Sequence, residues 1–179
     1  MFNVLNYVGY FFIYSFAGFI LETLFAVSVQ GELVMRKCFL VSPMCPVYGL
    51  GALAIVLMTQ PFRENLFAVF GIGMIAASAV EYFMDFIYRE VIGVAFWDYK
   101  DMPMNINGRV CLLFSLIWGL LSIALVRFIH PGVERMIKAS PRWLLLTLLI
   151  LFLIDAVAST TVLVRFKSKD ALNLLIHIK

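Results

Sequence analysis

The sequence predicts an all-α fold, a polytopic membrane helical bundle of five transmembrane helices, and three observations support it. Hydrophobic residues make up 63% of the 179 residues and charged residues only 14%, against ~25% charged residues in an average soluble domain. Five apolar stretches have about the ~20 residues that a helix needs to cross a bilayer. The polar connections between them are short. We therefore expect a single transmembrane domain over residues 1–179, with no separate soluble domain.

Each predicted span is apolar along almost its whole length. The first lacks the basic start and small-residue cleavage site of a signal peptide, so we expect it to be retained as a helix. In the fifth, Asp155 is followed by a small polar run at 159–161, which is suited to satisfying polar groups between packed helices. We expect this span to cover the outside of the other four. In chain order the spans are 4–29, 39–58, 66–87, 110–126 and 143–164.

Lysine and arginine are distributed unevenly among the connections. Loop one (between spans one and two), loop three (between spans three and four) and the C-terminal tail share one side of the membrane. The positive-inside bias favours an outside N-terminus and a cytoplasmic C-terminus, and we expect a prokaryotic cell membrane. Nine basic residues lie on the loop-one side, Arg36, Lys37, Arg89, Lys100, Arg109, Arg165, Lys167, Lys169 and Lys179, against five on the other, Arg63, Arg127, Arg135, Lys138 and Arg142.

The cysteines and histidines do not form a metal-binding pattern. Cys38, Cys45 and Cys111 make neither a CxxC motif nor a histidine-associated zinc motif, so no metal and no cofactor are expected. A disulfide between Cys38 and Cys45 is geometrically feasible, but a cytoplasmic loop favours free thiols. The net charge of +3 suits a protein that borders anionic lipid, and no nucleic-acid partner is expected.

Spans one and three carry isolated glutamates at matching places. Glu22 is followed 21 residues later by Pro43, and Glu81 is followed 22 residues later by Pro103. This spacing indicates a duplicated helix-loop-helix unit, with copies at 4–59 and 65–127 in parallel orientation, followed by the fifth span and tail at 142–179. Chance similarity between two apolar hairpins is the alternative.

The acidic residues are expected to converge at the loop-one end of the bundle. Glu81, Asp85 and Arg89 are spaced i, i+4 and i+8, so they share one helix face. We expect a polar cavity there, open toward loops one and three. The alternative is a static ion pair between Arg109 and a glutamate, with interfacial aromatic residues. The candidate substrate-binding or gating residues are Glu22, Glu81, Asp85, Arg109, Trp97, Asp98, Tyr99, Asn105, Asn107, Pro46 and Tyr48.

The charge of this group does not balance. Glu22, Glu81 and Asp85 face one nearby arginine, Arg109, so the excess negative charge must be hydrated, protonated or matched by a ligand. Because burial disfavours the charged form of a carboxyl group, one of the two glutamates is a candidate for proton coupling at pH 7.

An ordered set of short motifs resembles the CmpB-type ABC transporter permease family (ABC-transporter type IV). The likeness extends over residues 12–119 and implies a membrane permease whose ATPase is a separate polypeptide, because the chain has no G-x-x-x-x-G-K-[ST] phosphate loop. It also implies docking of that ATPase on loop one or three, and a homodimer. The motifs are Tyr14-Ser15-Phe16, Leu21-Glu22-Thr23, Cys45-Pro46-Val47-Tyr48-Gly49, Glu81-Tyr82, Trp97-Asp98-Tyr99 and Asn107-Gly108-Arg109-Val110-Cys111, with Ser115 and Trp118-Gly119.

Three functions fit these observations. The first is a transporter or permease component that binds a small polar or cationic substrate between Glu22 and Glu81, with Arg109 as gate or counter-ion. The second is an intramembrane enzyme acting on a lipid or isoprenoid headgroup, with Glu81 or Asp98 as general base. No nucleophile–histidine pair or two-metal motif supports the enzyme. The third is a non-catalytic membrane adaptor that binds through small-residue faces.

Overall fold

A computed structural model describes residues 4–30, 38–169 and 171–174, most of them in helices. Five helices form the bundle, and four of them are long and apolar enough to cross a membrane. This confirms the all-α class and identifies an integral membrane protein. The four are Val4–Ser28, Leu66–Ile92, Leu112–Ala139 and Arg142–Phe166, and the fifth, Pro46–Phe62, is shorter.

The elements follow one another with few breaks. Two short strands form an antiparallel hairpin in loop three, and π-helical turns extend two of the helices. In chain order the elements are α1 (Val4–Gln30), α2 (Pro46–Thr59) with a 3₁₀ turn (Gln60–Phe62), α3 (Leu66–Phe86) with a π-helical end (Ile87–Ile92), β1 (Asn105–Ile106), β2 (Val110–Cys111), α4 (Leu112–Ala124) with a π-helical end (Leu125–Ile129), α5 (His130–Ala139), α6 (Arg142–Phe166) and α7 (Ala171–Leu174).

Helix α2 is shorter than the predicted span 39–58. Residues 38–45 are not helical, and the helix begins at Pro46. Proline has no backbone N–H and a fixed φ, so it fits the first turn of a helix but not its interior. The 14 residues of α2 reach only about 21 Å at the usual helical rise, which is less than the ~30 Å hydrocarbon core of a bilayer.

The fourth helix does not end at 126 as predicted. It continues through a π-helical turn into α5, so that 28 residues from Leu112 to Ala139 form one apolar helix. The His130 N–H bonds to the Leu125 carbonyl five residues back, just before Pro131, which cannot continue the normal hydrogen-bond ladder. The predicted fourth connection is therefore reduced to the residues between α5 and α6.

Close packing joins the helices in chain order. Helix α2 lies between α1 and α3, α3 packs on α4, and α6 lies outside, against α1 and the π-helical end of α3. A Cβ at Gly49 would overlap Ser15 Oγ of α1, and a Cβ at Gly73 would overlap the Ser122 side chain of α4. These glycines therefore permit close helix approach, as expected for small residues in membrane bundles.

Loop one is attached to α6 through Asp155. The Asp155 carboxylate accepts the backbone N–H groups of Val41 (3.2 Å) and Ser42 (2.9 Å), and Ser159 donates to the same carboxylate at 2.9 Å. Within the polar run at 159–161, Ser159 also accepts the Val41 N–H at 3.2 Å and so satisfies a group of another element, whereas Thr161 donates to the Val157 carbonyl of its own helix. Helix α6, the predicted span five, thus binds the loop that leads into α2.

The same loop brings Cys38 and Cys45 together as a disulfide, with Cα atoms 5.2 Å apart. This separation is in the usual range for a disulfide, and it corrects the expectation of free thiols at this pair. Cys111 is a free, buried thiol.

Candidate functional site

Loop three closes the loop-one end of the bundle with a tight hairpin. Asn107 and Gly108 have φ values of 55° and 67°, and they are the central residues of a β-turn in which the Arg109 N–H donates to the Ile106 carbonyl at 3.0 Å. Beyond Arg109, Val110 pairs with Ile106. Asn-Gly is the preferred pair for such a two-residue turn, because both central residues need positive φ. Asn105 fixes the turn by accepting the Gly108 N–H at 3.0 Å. The hairpin places Arg109 at the entrance of α4, as predicted.

Glu81 lies at the centre of what we call the acid–aromatic cluster: Glu22, Tyr48, Glu81, Tyr99 and Trp118. The Glu81 side chain is only 6% exposed. One carboxylate oxygen accepts the Tyr99 O–H at 3.0 Å, and the other accepts the Trp118 N–H at 3.2 Å. Both donors are neutral. In the described part of the chain, Glu81 takes part in no salt bridge.

Glu22 reaches the same cluster from α1. The Tyr48 O–H donates to Glu22 at 2.8 Å, and the Tyr48 ring lies 5.1 Å from the Trp118 ring. Tyr48 is the third residue of α2, and Pro46 starts that helix. The two glutamates are therefore linked through a contacting pair of aromatic residues.

The arginines belong to a second group, the arginine cluster: Asp85, Arg89, Glu90, Asp98 and Arg109. Arg89 Nε lies 2.6 Å from Asp85, which is fully buried. Arg109 lies 2.6 Å from Glu90 and 3.5 Å from Asp85. One oxygen of Asp85 has no hydrogen-bond partner. Arg109 is therefore engaged by Glu90 and Asp85 and forms no salt bridge with Glu81 in the described residues.

The remaining predicted loop residues border these two clusters. Trp97 donates its N–H to the Arg109 carbonyl at 2.9 Å, and Arg89 bonds to the Trp97 carbonyl. Asn107 donates to the Tyr82 hydroxyl at 2.8 Å. Tyr99 stacks on Phe114 with ring centres 4.8 Å apart. All of the predicted site residues thus lie at this end, but they divide into two hydrogen-bonded groups.

Two loop residues have altered acidities. Burial raises the pKa of Tyr99, and the adjacent Glu81 carboxylate raises it further, with Tyr48 and Glu22 contributing. Tyr99 therefore remains a neutral donor at physiological pH. Although desolvation raises the pKa of Asp98, the Lys100 N–H and the Lys100 and Arg89 charges together outweigh it and leave this pKa below its ordinary value of 3.8.

Two cavities lie away from these residues. One, of about 690 Å³, is an apolar groove along α6. The other, of about 260 Å³, has a polar lining and lies at the opposite end of the bundle. Neither is lined by Glu22, Glu81, Asp85 or Arg109.

Some residues of this end were missing from the predicted set. Glu90 was missed because the third span was expected to stop at 87, whereas its π-helical end runs to Ile92. Arg109 also lies over the rings of Tyr82 and Phe86, at 5.2 and 5.1 Å. Tyr82 and Trp118 belong to the motifs of the family resemblance. Those motifs could have placed both residues in the predicted site.

Comparison with known proteins gives one match. The model of the family described as "Putative ABC-transporter type IV" matches residues 9–162. No curated protein and no solved structure shows significant similarity to the chain.

Proposed function

The chain belongs to the ABC-transporter type IV family, and from this membership and the site geometry we propose that it is a membrane transport component that binds a small organic ammonium cation at the acid–aromatic cluster. The membership and the membrane-length helices support a membrane transport-related role. The substrate class is our inference. It depends on the surroundings of Glu81.

The observation that carries the proposal is the buried Glu81 carboxylate, whose hydrogen-bond donors among the described residues are both neutral. Tyr99 and Trp118 occupy one oxygen each, and Arg109 is held by Glu90 and Asp85. An acidic group at membrane depth costs several kcal/mol unless a charge or water compensates it. Either a proton or a ligand cation supplies that compensation.

Aromatic rings beside the carboxylates favour an ammonium group. Tyr48 and Trp118 are in ring contact, and Tyr99 stacks on Phe114 next to Glu81. Aromatic faces attract cations, and quaternary ammonium ligands are commonly bound in this way. A carboxylate adds a direct charge partner. A small organic cation therefore fits this group better than an anion.

The two glutamates are arranged alike, which supports the proposed duplication. Glu22 of α1 accepts from Tyr48 of the next helix, and Glu81 of α3 accepts from Trp118 of the next helix. In each half, an acid on the first helix meets an aromatic donor on the second.

The decisive experiment measures thermal stabilisation of the purified protein by tetramethylammonium chloride, against sodium chloride at the same ionic strength. We expect a saturable rise of the unfolding temperature that is lost in Glu81→Gln. The control is Glu64→Gln, because Glu64 is 91% exposed and pairs with Arg127. A shift in Glu81→Gln equal to that of the wild type would overturn the proposal. So would a wild-type protein that does not respond, which would leave a proton as the partner of Glu81.

Energy coupling requires a second polypeptide in this proposal. The sequence has no ATP-binding loop of its own, so an ATPase would dock on loop one or loop three, and two copies of the chain would form the permease. With the N-terminus outside, both loops face the cytoplasm. Purification from native membranes tests this. We expect ATPase activity to copurify with the wild type and to be reduced by charge reversal at the exposed residues Lys100 and Asp101.

A further inference from the structure

A second polar site lies at the end of the bundle opposite to the two clusters. It is formed where α1 begins, where α2 ends, and along α5. A cavity of about 260 Å³ opens there, and we call it the His130 pocket. Its polar lining includes Tyr10, Gln60, Arg63, His130, Glu134 and Lys138.

His130 is held in a fixed orientation in this pocket. The side chain is 5% exposed, and its Nδ1 lies 2.6 Å from the Tyr14 hydroxyl. The Tyr10 ring contacts the imidazole edge-on at 5.1 Å. When Tyr14 donates to Nδ1, the proton of a neutral imidazole is on Nε2. The other ring nitrogen is then available as a hydrogen-bond donor to a ligand.

Arg63 gives the pocket its net positive charge, because the charged lining residues are Arg63, Glu134 and Lys138. Lys138 pairs with Glu134 at 2.9 Å, so those two charges balance. Arg127, at the same end, pairs with Glu64 at 3.0 Å. In the described part of the chain, the Arg63 guanidinium has no ion pair and no hydrogen bond. Its donors are therefore free to bind an anion in bidentate fashion.

We propose that the His130 pocket binds a phosphate group, with Arg63 as the main charge partner and His130 and Lys138 as further donors. Planar guanidinium donors match phosphate geometry. The pocket lies at the ends of membrane-spanning helices, where phospholipid headgroups are found, and it also opens to solutes. The phosphate belongs either to a lipid headgroup or to a soluble phosphate ester. The recognition chemistry is the same for both.

The test is a binding titration with two probes on the detergent-purified protein. One arm uses glycerol phosphate, and the other uses a short-chain phosphatidylglycerol below its micelle concentration. We expect saturable binding in at least one arm, weakened about 10-fold or more in Arg63→Gln, because a hydrogen bond to a charged group is lost. The responding arm identifies the source of the phosphate.

Two controls make the result specific. Arg127→Gln removes an arginine at the same end that does not line the pocket, so it should bind as the wild type does. Glu81→Gln should also bind normally, because its site is at the other end, and this separates the inference from the proposed function. Tyr14→Phe should weaken binding less than Arg63→Gln, because it only releases His130. Equal binding by Arg63→Gln and Arg127→Gln, or no binding in either arm, would refute the proposal.

Discussion

The two ends of the bundle differ in how their charged side chains are paired. At the loop-one end, Arg89 and Arg109 are matched by Asp85 and Glu90, and the buried Glu81 accepts hydrogen bonds from neutral donors. At the opposite end, Arg63 has no ion pair among the residues that the structure describes, and it lines a cavity. One end therefore holds unbalanced negative charge inside the protein, and the other presents unbalanced positive charge at the surface.

This difference separates two kinds of binding. A buried carboxylate must gain a proton or a cation, because an unpaired charge inside the bundle is costly. An exposed guanidinium is hydrated without a ligand, so its binding is optional and depends on concentration. We therefore expect a tightly coupled cation at the loop-one end and a reversible anion at the other.

The largest expected effect is an all-or-none difference between the two ends in labelling from outside the cell. Asp101, in loop three, and Ser140, between α5 and α6, lie at opposite ends. In a Cys38→Ser, Cys45→Ser background, we expect a membrane-impermeant maleimide to label Ser140→Cys in intact cells. It should label Asp101→Cys only after permeabilisation, because the basic residues favour a cytoplasmic loop three.

The disulfide makes this experiment informative. Disulfides persist in oxidising compartments, and the Cys38–Cys45 link lies in loop one, on the side of loop three. The reverse labelling pattern would place both loops outside the cytoplasm. It would remove the loops as docking sites for a cytoplasmic ATPase.

The next largest effect is expected from Asp85→Asn. Asp85 is fully buried against Arg89 and also contacts Arg109, and removing one partner of a buried ion pair costs about 3 kcal/mol. Glu64→Gln at the other end breaks the exposed pair with Arg127 and should cost less than about 1 kcal/mol. Unfolding in mixed micelles measures both changes. Equal losses would show that the two ends do not differ in this respect.

A pair of glycine substitutions tests the packing of the two ends. At Gly49 an added methyl group would meet Phe11 at 2.7 Å and would overlap Ser15, whereas Gly132 has no atom within 4 Å. We expect Gly49→Ala to lower the free energy of unfolding by about 1–3 kcal/mol through overpacking. Gly132→Ala should stabilise by up to ~1 kcal/mol, because alanine favours the helix. The same unfolding assay measures both changes. An unchanged free energy of unfolding in Gly49→Ala would contradict the close helix contact.

Most of the bundle could be predicted from the sequence because membrane crossing depends on length and apolarity. The predicted spans 4–29 and 143–164 agree with α1 and α6 to within two residues at each end. The stripe of Glu81, Asp85 and Arg89 also follows from helical spacing alone, and Arg89 does bind Asp85. These features are local in the chain.

The features that sequence reasoning missed depend on irregular helix geometry. The π-helical ends of α3 and α4 mix apolar and charged residues as ordinary helix ends do, so nothing in their composition marks them. The first brings Glu90 to Arg109. The second carries the chain past Pro131, so that His130 faces Tyr14 in a segment that was expected to be a loop. The partner of each polar residue is set by tertiary packing, which single-sequence patterns do not contain.

The smallest expected effect is a pH dependence that separates the exposed edge of the arginine cluster from its buried part. Asp98 is 45% exposed and lies 3.5 Å from Lys100 and 3.6 Å from Arg89. Because its pKa is lowered in the folded protein, its stabilising contribution is present above the ordinary value of 3.8 and is lost as the pH falls through the folded-state pKa. Asp98→Asn should therefore lower the unfolding temperature slightly near neutral pH, and this difference from the wild type should shrink as the pH falls below the ordinary value of 3.8. Asp101→Asn, also exposed in loop three, is the control. A difference between Asp98→Asn and the wild type that grows toward low pH would mean that Asp98 is not held by these cations, and that the negative charge of the loop-one end is compensated only within the buried groups.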